Sequence, residues 1–329
     1  SSPARNRGGG VITLRRMTAF GIGPLPGTDM AAAADIVLGE TGDLPHIPQL
    51  PERGIAAGAV ARTAFMLPGL AVDRGPRGWV LTARDQLITR RGRDMLARDL
   101  DAVQEVWETA PEVVKVQCVG PWSLAAALEL GNGHRAVTDR GAVRELHDSS
   151  LQAVEEHAAD VADRFQCRTV LQLDEPYLGA VLAGRVPGAT DFETIPAVPA
   201  DVAAATLEDF AADYLWLPGP RPSWEAAGAA RTAIVDFAAV AAEANYEGAG
   251  MHLEDGYRLG CAVTPSGLRE PGRQAREIAG WLDRLGMRRE VMATQLDVNP
   301  WPVSDTLADA AGNYSRAAKL GDILASGDA

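Results

Sequence analysis

The stretch TVLQLDEP, residues 169–176, decides how the chain is interpreted. A short apolar run leads directly to two adjacent carboxylates, Asp174 and Glu175, and Pro176 ends it. A run of this length, closed by a proline, predicts a buried strand. Two acids at the end of a strand indicate either a solvated turn or the edge of a functional site. The organisation of the whole chain distinguishes these two interpretations.

The rest of the chain repeats a strand–helix pattern. A helix is expected over 30–40 with Asp29 as its N-cap, and longer helices are expected over 85–109 and 140–165. About eight strand–helix units without hairpin signals predict an α/β fold, a single-domain (β/α)8 TIM barrel over 18–329. The strand-like runs are 18–23, 78–82, 113–120, 169–174, 213–219, 232–237, 257–263 and 291–298.

A doubly wound open sheet is the competing fold. Such a sheet ordinarily carries a glycine-rich phosphate turn after its first strand, and GIGPLPG (21–27) is too rich in proline for one. The barrel is therefore favoured. Residues 1–17 are polar and glycine-rich and lack the apolar segment of a secretory signal. They are expected to form a flexible N-terminal tail.

Barrel topology gives the strand ends a functional meaning. All strands of such a barrel are parallel, so their carboxyl ends open onto the one face where these enzymes carry their active sites. Asp174 and Glu175 lie at such an end. Because side chains alternate along a strand, the two carboxylates are expected to point in opposite directions.

The composition restricts the partners of the chain. Its 329 residues carry a net charge of −13, whereas nucleic acids and anionic membranes select clustered Lys and Arg, so neither is expected. No run approaches the roughly 20 apolar residues of a membrane span. The three cysteines are widely spaced, which favours free thiols in a reducing cytoplasm over a disulfide framework. A small molecule is the expected partner.

Four residues are candidates for substrate binding. Asp174 and Glu175 suit a cationic group such as an amine, or general-base work, although acids also favour a helix N-terminus beside a proline. His46 lies between Pro45 and Pro48 in a proline-rich loop, where a stiff backbone suits a ligand contact as well as it suits a surface loop. Trp122 follows a strand end and suits either a pocket wall or core packing.

Four motifs, in this order and spacing, together resemble the cobalamin-independent methionine synthase family. They are GIGPLPGTDM (21–30), LPHIPQLP (44–51), VQCVGPW (116–122) and LQLDEP (171–176). The resemblance is closest to the short, single-barrel actinobacterial members and covers the chain from about Thr18 onward. It corresponds to the catalytic C-terminal half of the full-length enzymes. It implies a (β/α)8 barrel that transfers a methyl group to the sulfur of homocysteine.

The resemblance also implies roles for particular positions. In that family a zinc ion binds the homocysteine sulfur, and a methylated folate supplies the methyl group. The family's DEP aspartate contacts the homocysteine amino group, and Asp174 matches it. A serine after the family's first strand helps to hold the amino acid carboxylate, but Pro24 stands in the matching turn. Proline supplies neither a hydroxyl nor a backbone N–H, so carboxylate recognition lacks its usual residue.

The zinc ligands of the family are missing from the matching stretches. The family uses a His-x-Cys pair, a Glu and a Cys at three later strand ends. Here these places correspond to Leu215–Trp216–Leu217, to Asp236, and to TQLDVNP (294–300), which hold neither histidine nor cysteine. The three scattered cysteines make a poor tetrahedral set and are expected to be packing residues. No metal site is therefore predicted, and the methyl donor, a folate or a corrinoid, stays open.

Two functions follow from these observations. The first is a methyltransferase-like barrel that binds an amino-acid or thiol acceptor, similar to homocysteine, at its carboxyl face without the family zinc. The second is a non-catalytic or altered paralogue that binds a small ligand or a partner, because apolar side chains replace the metal ligands.

Overall fold

The structure is a computed structural model that describes residues 19–42, 44–108, 111–190 and 192–327. The expected flexible tail, residues 1–17, lies outside these ranges. Within them, nine strands form two sheets. In chain order the strands are β1 (Ala71–Gly75), β2 (Gly78–Thr82), β3 (Val113–Val119), β4 (Leu128–Glu129), β5 (Arg168–Asp174), β6 (Tyr214–Trp216), β7 (Thr232–Asp236), β8 (Arg258–Val263) and β9 (Leu296–Pro300).

The larger sheet is parallel, curled and six-stranded, with the order β3-β5-β6-β7-β8-β9. Spatial order follows chain order, so each connection steps to the neighbouring strand, as expected for strand–helix units. The carboxyl ends therefore share one edge of the sheet. Val119, Asp174 and Asp236 are the last residues of β3, β5 and β7 at this edge.

Two extended segments continue the sheet at its edges. Ala19 pairs in parallel with Val298 of β9, and the Phe20 N–H donates to the Val298 carbonyl at 3.1 Å. At the other edge, His46 pairs in parallel with Lys115 of β3. The two segments, 19–24 and 44–49, also bond to each other through Gln49. Each edge of the six-stranded sheet is thus hydrogen-bonded to one of them.

Fourteen α-helices lie within the described ranges. The predicted cap is confirmed: the Asp29 side chain accepts from the Ala32 N–H at 3.1 Å. In chain order the helices are α1 (Met30–Glu40), α2 (Ala59–Met66), α3 (Leu87–Val106), α4 (Pro121–Ala127), α5 (Arg140–Phe165), α6 (Leu178–Leu182), α7 (Ala200–Glu208), α8 (Trp224–Ala227), α9 (Phe237–Val240), α10 (Tyr246–Glu254), α11 (Pro265–Leu268), α12 (Pro271–Arg284), α13 (Glu290–Gln295) and α14 (Leu307–Ser326).

The expectation that 78–82 is a strand of the main sheet is wrong. This segment is β2, which pairs antiparallel with β1 and parallel with β4 in a separate three-stranded sheet. The turn between β1 and β2 is GPRG (75–78), in which Gly78 has φ 146°. That value lies in the left-handed region that favours glycine. β1 and β2 therefore form a hairpin, although the sequence predicted none.

The expectation of a loop over the proline-rich segment 44–49 is also wrong. The segment lies in an extended conformation between the first segment and β3. The Ile47 and Gln49 N–H groups donate to the Lys115 and Gly23 carbonyls, both at 3.1 Å. Pro45 and Pro48 stand at positions whose missing N–H is not needed for these bonds, so the prolines do not interrupt the pairing.

The last strand begins later than expected. Residues 290–295 form α13, and β9 starts at Leu296, so only the end of the run over 291–298 is extended. Leu296 and the residues after it pair with β8. The apolar residues before it, such as Met292, are buried on a short helix instead, because a short apolar run does not distinguish helix from strand.

Side chains alternate between two environments along the large sheet. The concave face carries an aromatic and aliphatic cluster that includes Phe20, Tyr214 and Trp216. The opposite face packs against the helices, with Leu173 and Leu215 among its buried residues. No helix in the described ranges combines the length and apolar character needed to cross a bilayer.

Candidate functional site

Asp174 is the last residue of β5 and is 4 % exposed. Its Oδ1 accepts a hydrogen bond from Gln172 Nε2 at 2.6 Å. Its Oδ2 has no hydrogen-bond partner among the described residues. Since residues two apart on a strand share a face, Gln172 and Asp174 both line the concave face, at the carboxyl end of the sheet. One carboxylate oxygen is thus held and the other is available to a ligand.

Lys115 lies beneath Asp174 and is fully buried on β3. Its Nζ donates to Gln172 Oε1 at 2.5 Å and to the Ile22 carbonyl at 3.2 Å. With the Gln117 amide oriented to satisfy its neighbours, its oxygen accepts from the same Nζ at 3.1 Å. The Gln172 amide therefore connects the ammonium group to the carboxylate, and no direct ion pair between Lys115 and Asp174 forms in the described structure.

Burial moves the pKa values of this pair toward each other. Loss of solvation raises the Asp174 pKa to about 7, although the Gln172 hydrogen bond and the Lys115 charge oppose the rise. Loss of solvation lowers the Lys115 pKa to about 7, and the Asp174 charge opposes that fall. Both groups can therefore change protonation near neutral pH, which is a property of acid–base and ligand-linked sites.

Glu175 points away from Asp174, as the sequence predicted. Its carboxylate accepts the Trp122 N–H at 3.1 Å, the Ser123 N–H at 2.8 Å and the Ser123 hydroxyl at 2.6 Å. These are donors of the first turn of α4. Gly120 makes this approach possible, because a Cβ atom there would collide with the Glu175 carboxylate. The side chain thus binds the start of α4, where an acid stabilises the free N–H groups.

Burial also affects the protonation of Glu175. Loss of solvation raises its pKa to about 7, against the hydrogen bonds from Ser123 and Trp122 that favour the carboxylate. The strand end therefore carries two acids with raised pKa values on opposite sides of the sheet wall. Of the two, only Asp174 faces the concave interior.

Trp122 lies in the layer between the sheet and the helices. Its indole N–H donates to the Ala203 carbonyl of α7 at 3.2 Å, and its ring packs with the helix-side cluster. Among the described residues its indole N–H donates to Ala203 and to none of Asp174, Gln172 and Lys115. Of the two interpretations left open by the sequence, core packing agrees with this placement.

His46 is fully buried in the extended segment beside β3. Its ring lies edge-on to Tyr314 with the centroids 6.1 Å apart, and it fills the space that a side chain at Gly21 would need. Neither ring nitrogen forms a well-aligned hydrogen bond among the described residues. Burial, and then the Lys115 charge, hold the His46 pKa well below its usual value. The imidazole is therefore neutral at pH 7.

Trp216 is the inward-facing neighbour of Asp174. The two residues are paired in the β5–β6 register, so their side chains emerge on the same face. The Trp216 ring contacts Trp301, with the centroids 4.5 Å apart and the planes at 74°. The Trp216 Nε1 is buried without a hydrogen-bond partner among the described residues. Asp236, at the end of β7, uses one oxygen to accept the Gly219 N–H at 2.9 Å.

The residues at the expected zinc positions do not suit a zinc ion. Leu215 and Leu217 pack on the helix side, and Trp216 supplies an indole rather than a ligand. Burial raises the pKa of the Cys118 and Cys261 thiols to about 12, which keeps them protonated. Over the ranges that the structure describes, no group of three or more His, Cys, Asp or Glu side chains is placed to hold a metal.

Two cavities open near the carboxyl edge. One of about 510 Å³ lies outside the ends of β3 and β5 and is lined by Ile55, Trp79, Val119 and Tyr177, among others. The other, of about 380 Å³, lies at the ends of β8 and β9, where Arg269, Asp305, Asp309 and Arg316 contribute both signs of charge. Asp174 lines neither of them.

Three components of this site were not predicted from the sequence: Lys115, Gln172 and Trp301. A signal for the first two was present. Lys115 and Gln117 interrupt VVKVQCV (113–119) at every second position, and Gln172 and Asp174 do the same in β5. Polar residues with a period of two on neighbouring strands indicate a shared polar face. Trp301 follows the last strand, and no local pattern connects it to Trp216.

No protein-family model matches the chain, and no curated protein is significantly similar to it. The methionine synthase resemblance thus rests on the four motifs alone.

Proposed function

We propose that the chain forms a closed (β/α)8 barrel of the methionine synthase type. The segments 19–24 and 44–49 join β9 to β3 and would act as the first two barrel strands. Four contacts support this closure: Ala19 with Val298, Pro24 with Gln49, His46 with Lys115, and the Phe20 N–H with the Val298 carbonyl. With the six strands of the large sheet, the two segments make the eight members that such a barrel needs.

The barrel binds a small amino acid at its carboxyl face, with Asp174 as the acceptor for the ligand ammonium group. The observation that carries this proposal is the half-occupied Asp174 carboxylate. Gln172 fixes one oxygen, and the other has no partner among the described residues. A buried carboxylate with an open acceptor position favours a cationic donor, because a charged hydrogen bond offsets its lost solvation. The family role of the DEP aspartate agrees with this chemistry.

Lys115 adjusts the charge of the site when the ligand arrives. A ligand ammonium beside Asp174 favours the ionised carboxylate and disfavours a second buried cation. Lys115, whose pKa burial has already lowered to about 7, then releases its proton more readily. Gln172 stays in place through its hydrogen bond to the Ile22 carbonyl at 2.8 Å. The site can therefore accept one positive charge without holding two.

Methyl transfer to a thiol acceptor similar to homocysteine is the catalytic form of this proposal. The chain's own residues bind the amine, orient the acceptor and exclude water from the concave face. Zinc has no part in this proposal, since the residues at the expected ligand positions do not fit that ion. The methyl donor is a folate or a corrinoid by family analogy.

A non-catalytic ligand-binding protein is the second candidate. The packing of Leu215 and Leu217 into the helix-side cluster favours it, because aliphatic side chains have replaced groups that take part in the family chemistry. Both candidates share the amino acid site at Asp174. They differ only in whether a methyl group is transferred there.

Calorimetric titration of the purified chain with L-methionine and L-homocysteine tests the shared site. We expect binding that Asp174→Asn weakens by about 10- to 100-fold, the loss expected for one charged hydrogen bond. Asp213→Asn is the matched control, because Asp213 is a partly buried acid at the opposite end of β6 and its acceptor role toward Leu171 can be kept by asparagine. Absence of binding by both ligands would overturn the proposal.

Methyl transfer needs a separate assay. The chain is incubated with homocysteine and, in turn, with methylated folate and a methylated corrinoid, and methionine is quantified by mass spectrometry. Product that disappears in Asp174→Asn but not in Asp213→Asn supports the catalytic form. Amino acid binding without product from either donor supports the non-catalytic candidate.

A further inference from the structure

Trp216 and Trp301 form an aromatic wall at the carboxyl end of the concave face. Their ring centroids are 4.5 Å apart and their planes lie at 74°, an edge-to-face arrangement. Trp216 belongs to the inward-facing cluster, and partly buried Trp301 packs against that cluster. These two residues come from, or directly follow, stretches that match zinc-ligand positions of the resembled family. An aromatic pair therefore lies where that resemblance would place a cation.

Acidic residues flank this wall. Trp216 is paired with Asp174 on one neighbouring strand and with Ile234 on the other. Asp236 lies two residues beyond Ile234 on β7 and thus on the same face. Asp174 has an oxygen without a partner, and the second oxygen of Asp236 has none among the described residues either. The Trp216 side chain therefore lies on the strand between two acidic residues of its neighbouring strands, and Trp301 packs against it.

This combination selects a particular kind of cation. A primary ammonium group brings three N–H donors that each need an acceptor when buried. A methylated onium group, in which carbon surrounds the charged sulfur or nitrogen, brings none and is stabilised by aromatic faces and nearby carboxylates. Such cation–π contacts stabilise a bound cation, and tryptophan gives the strongest. The indole rings offer no acceptor and the flanking carboxylates offer one open oxygen each, fewer than the three acceptors that a buried primary ammonium needs, so the methylated cation suits the site better.

We propose that Trp216 and Trp301, with Asp174 and Asp236 beside them, bind a methylated onium group, either a sulfonium or a quaternary ammonium. The inference rests on the proposed amino acid site only in placing the ligand at the same end of the barrel. Besides the ammonium group of the amino acid, it assigns a methylated onium group as a second ligand group that binds at this end of the barrel. The buried and unpartnered Trp216 Nε1 adds one hydrogen-bond donor, which an acceptor atom elsewhere on the same ligand would satisfy.

Isosteric probes test the charge requirement directly. Binding of choline and of its neutral isostere 3,3-dimethyl-1-butanol is compared by calorimetry, and trimethylsulfonium is titrated in a parallel experiment. We expect both cations to bind and the neutral isostere to bind at least about tenfold more weakly. A preference for trimethylsulfonium over choline would identify the sulfonium source, and the reverse preference the ammonium source. Equal affinity for choline and the neutral isostere would overturn the proposal.

Tryptophan variants locate the site. Trp301→Ala should weaken cation binding by about tenfold or more. Trp224→Ala makes the same change at a partly buried tryptophan of α8, whose ring contacts His252 rather than the barrel wall, and should leave the affinity unchanged. Trp216→Phe keeps an aromatic ring and should weaken binding less than Trp301→Ala. Identical affinities in Trp301→Ala and the unmodified chain would sink the assignment.

The outcome is independent of the amino acid experiment. If methionine binds through Asp174 while choline and trimethylsulfonium do not bind, the onium inference fails and the proposed function stands. If the cations bind through Trp301 while methionine and homocysteine do not bind, the onium inference stands and the amino acid proposal fails.

Discussion

Asp174 and Glu175 are adjacent in the chain, yet among the described residues their carboxylates share no hydrogen-bond partner. Asp174 accepts from Gln172 on the concave face of the sheet, whereas Glu175 accepts from Trp122 and Ser123 at the start of α4. The alternation of side chains along β5 separates them, and Gly120 leaves the room that Glu175 needs. One acid thus faces the concave side of the sheet, and the other holds the start of α4.

Glu175→Gln should reduce stability and leave ligand affinity nearly unchanged. The glutamine amide retains one acceptor oxygen but places N–H donors against the donors of α4. Each buried group left unsatisfied costs about 1–3 kcal/mol. Urea denaturation followed by circular dichroism measures the change in the free energy of unfolding. A stable Glu175→Gln protein that no longer binds methionine would instead make Glu175 a ligand residue.

Gly120→Ala should also destabilise the chain, by about 1–3 kcal/mol, because its methyl group would overlap the Glu175 carboxylate. Gly39→Ala is the matched control. Gly39 lies in α1, and apart from its own stretch of helix no atom comes within 4 Å of the position that an added methyl group would take, so the same change should stabilise the helix by about 0.5–1 kcal/mol. Thermal unfolding of both variants measures the contrast. Equal effects of the two substitutions would contradict the described approach of Glu175.

The contribution of the Lys115–Asp174 pair to the free energy of unfolding should have a minimum near pH 7. The Asp174 pKa is raised to about 7 in the folded state, so its stabilising contribution is complete below about pH 4 and is lost as the pH rises toward 7. The Lys115 pKa is lowered to about 7, so the folded state binds fewer protons than the unfolded state between about pH 7 and 10.5. Stability attributable to Lys115 therefore rises again over that interval.

Lys115→Met isolates the second half of this profile. Methionine has a similar volume and no charge, so the rise in stability above about pH 7 should be absent from the variant. Denaturant titrations of the variant and the unmodified chain, at several pH values, give the difference directly. A difference that stays constant with pH would show that Lys115 titrates normally in the folded protein.

Amino acid binding should strengthen as the pH rises from about 5 to 8, because the ligand ammonium requires the ionised form of Asp174. Binding at neutral pH should also release protons from the Lys115–Asp174 pair. Calorimetry in buffers of different ionisation enthalpy measures the number of protons released. The same enthalpy in every buffer would show that the pair does not change protonation on binding.

Zinc should not copurify with the chain in stoichiometric amount, because Cys118 and Cys261 are protonated packing residues and the matching strand ends lack histidine and cysteine. Metal analysis after dialysis checks this. Methionine binding should be equal with and without a chelator. One tightly held zinc per chain would return the site to the metal-dependent chemistry of the resembled family.

The sequence predicted those parts of the structure that depend on local patterns. The Asp29 cap, the helix over 140–165 and the opposite directions of Asp174 and Glu175 follow from capping preference and alternation. The pairing of 44–49 beside β3 was not predicted. Strand propensities treat proline as a breaker, and they do not show which N–H groups the neighbouring segments use. Trp216 and Trp301 meet only through the curvature of the sheet, which no local pattern records.

The pairing of residue 19 with β9 has a consequence for how the chain reaches its fold. Asn299 donates to the Phe20 carbonyl across 279 positions of sequence. The first segment therefore cannot complete its hydrogen bonds until residue 299 has left the ribosome. Contacts between residues so far apart in sequence slow folding. The intervening chain must lose conformational entropy to bring the two residues together before their contact stabilises the fold. Until then the apolar Phe20 and Ile22 remain without their final neighbours, which makes an N-terminal fragment prone to association.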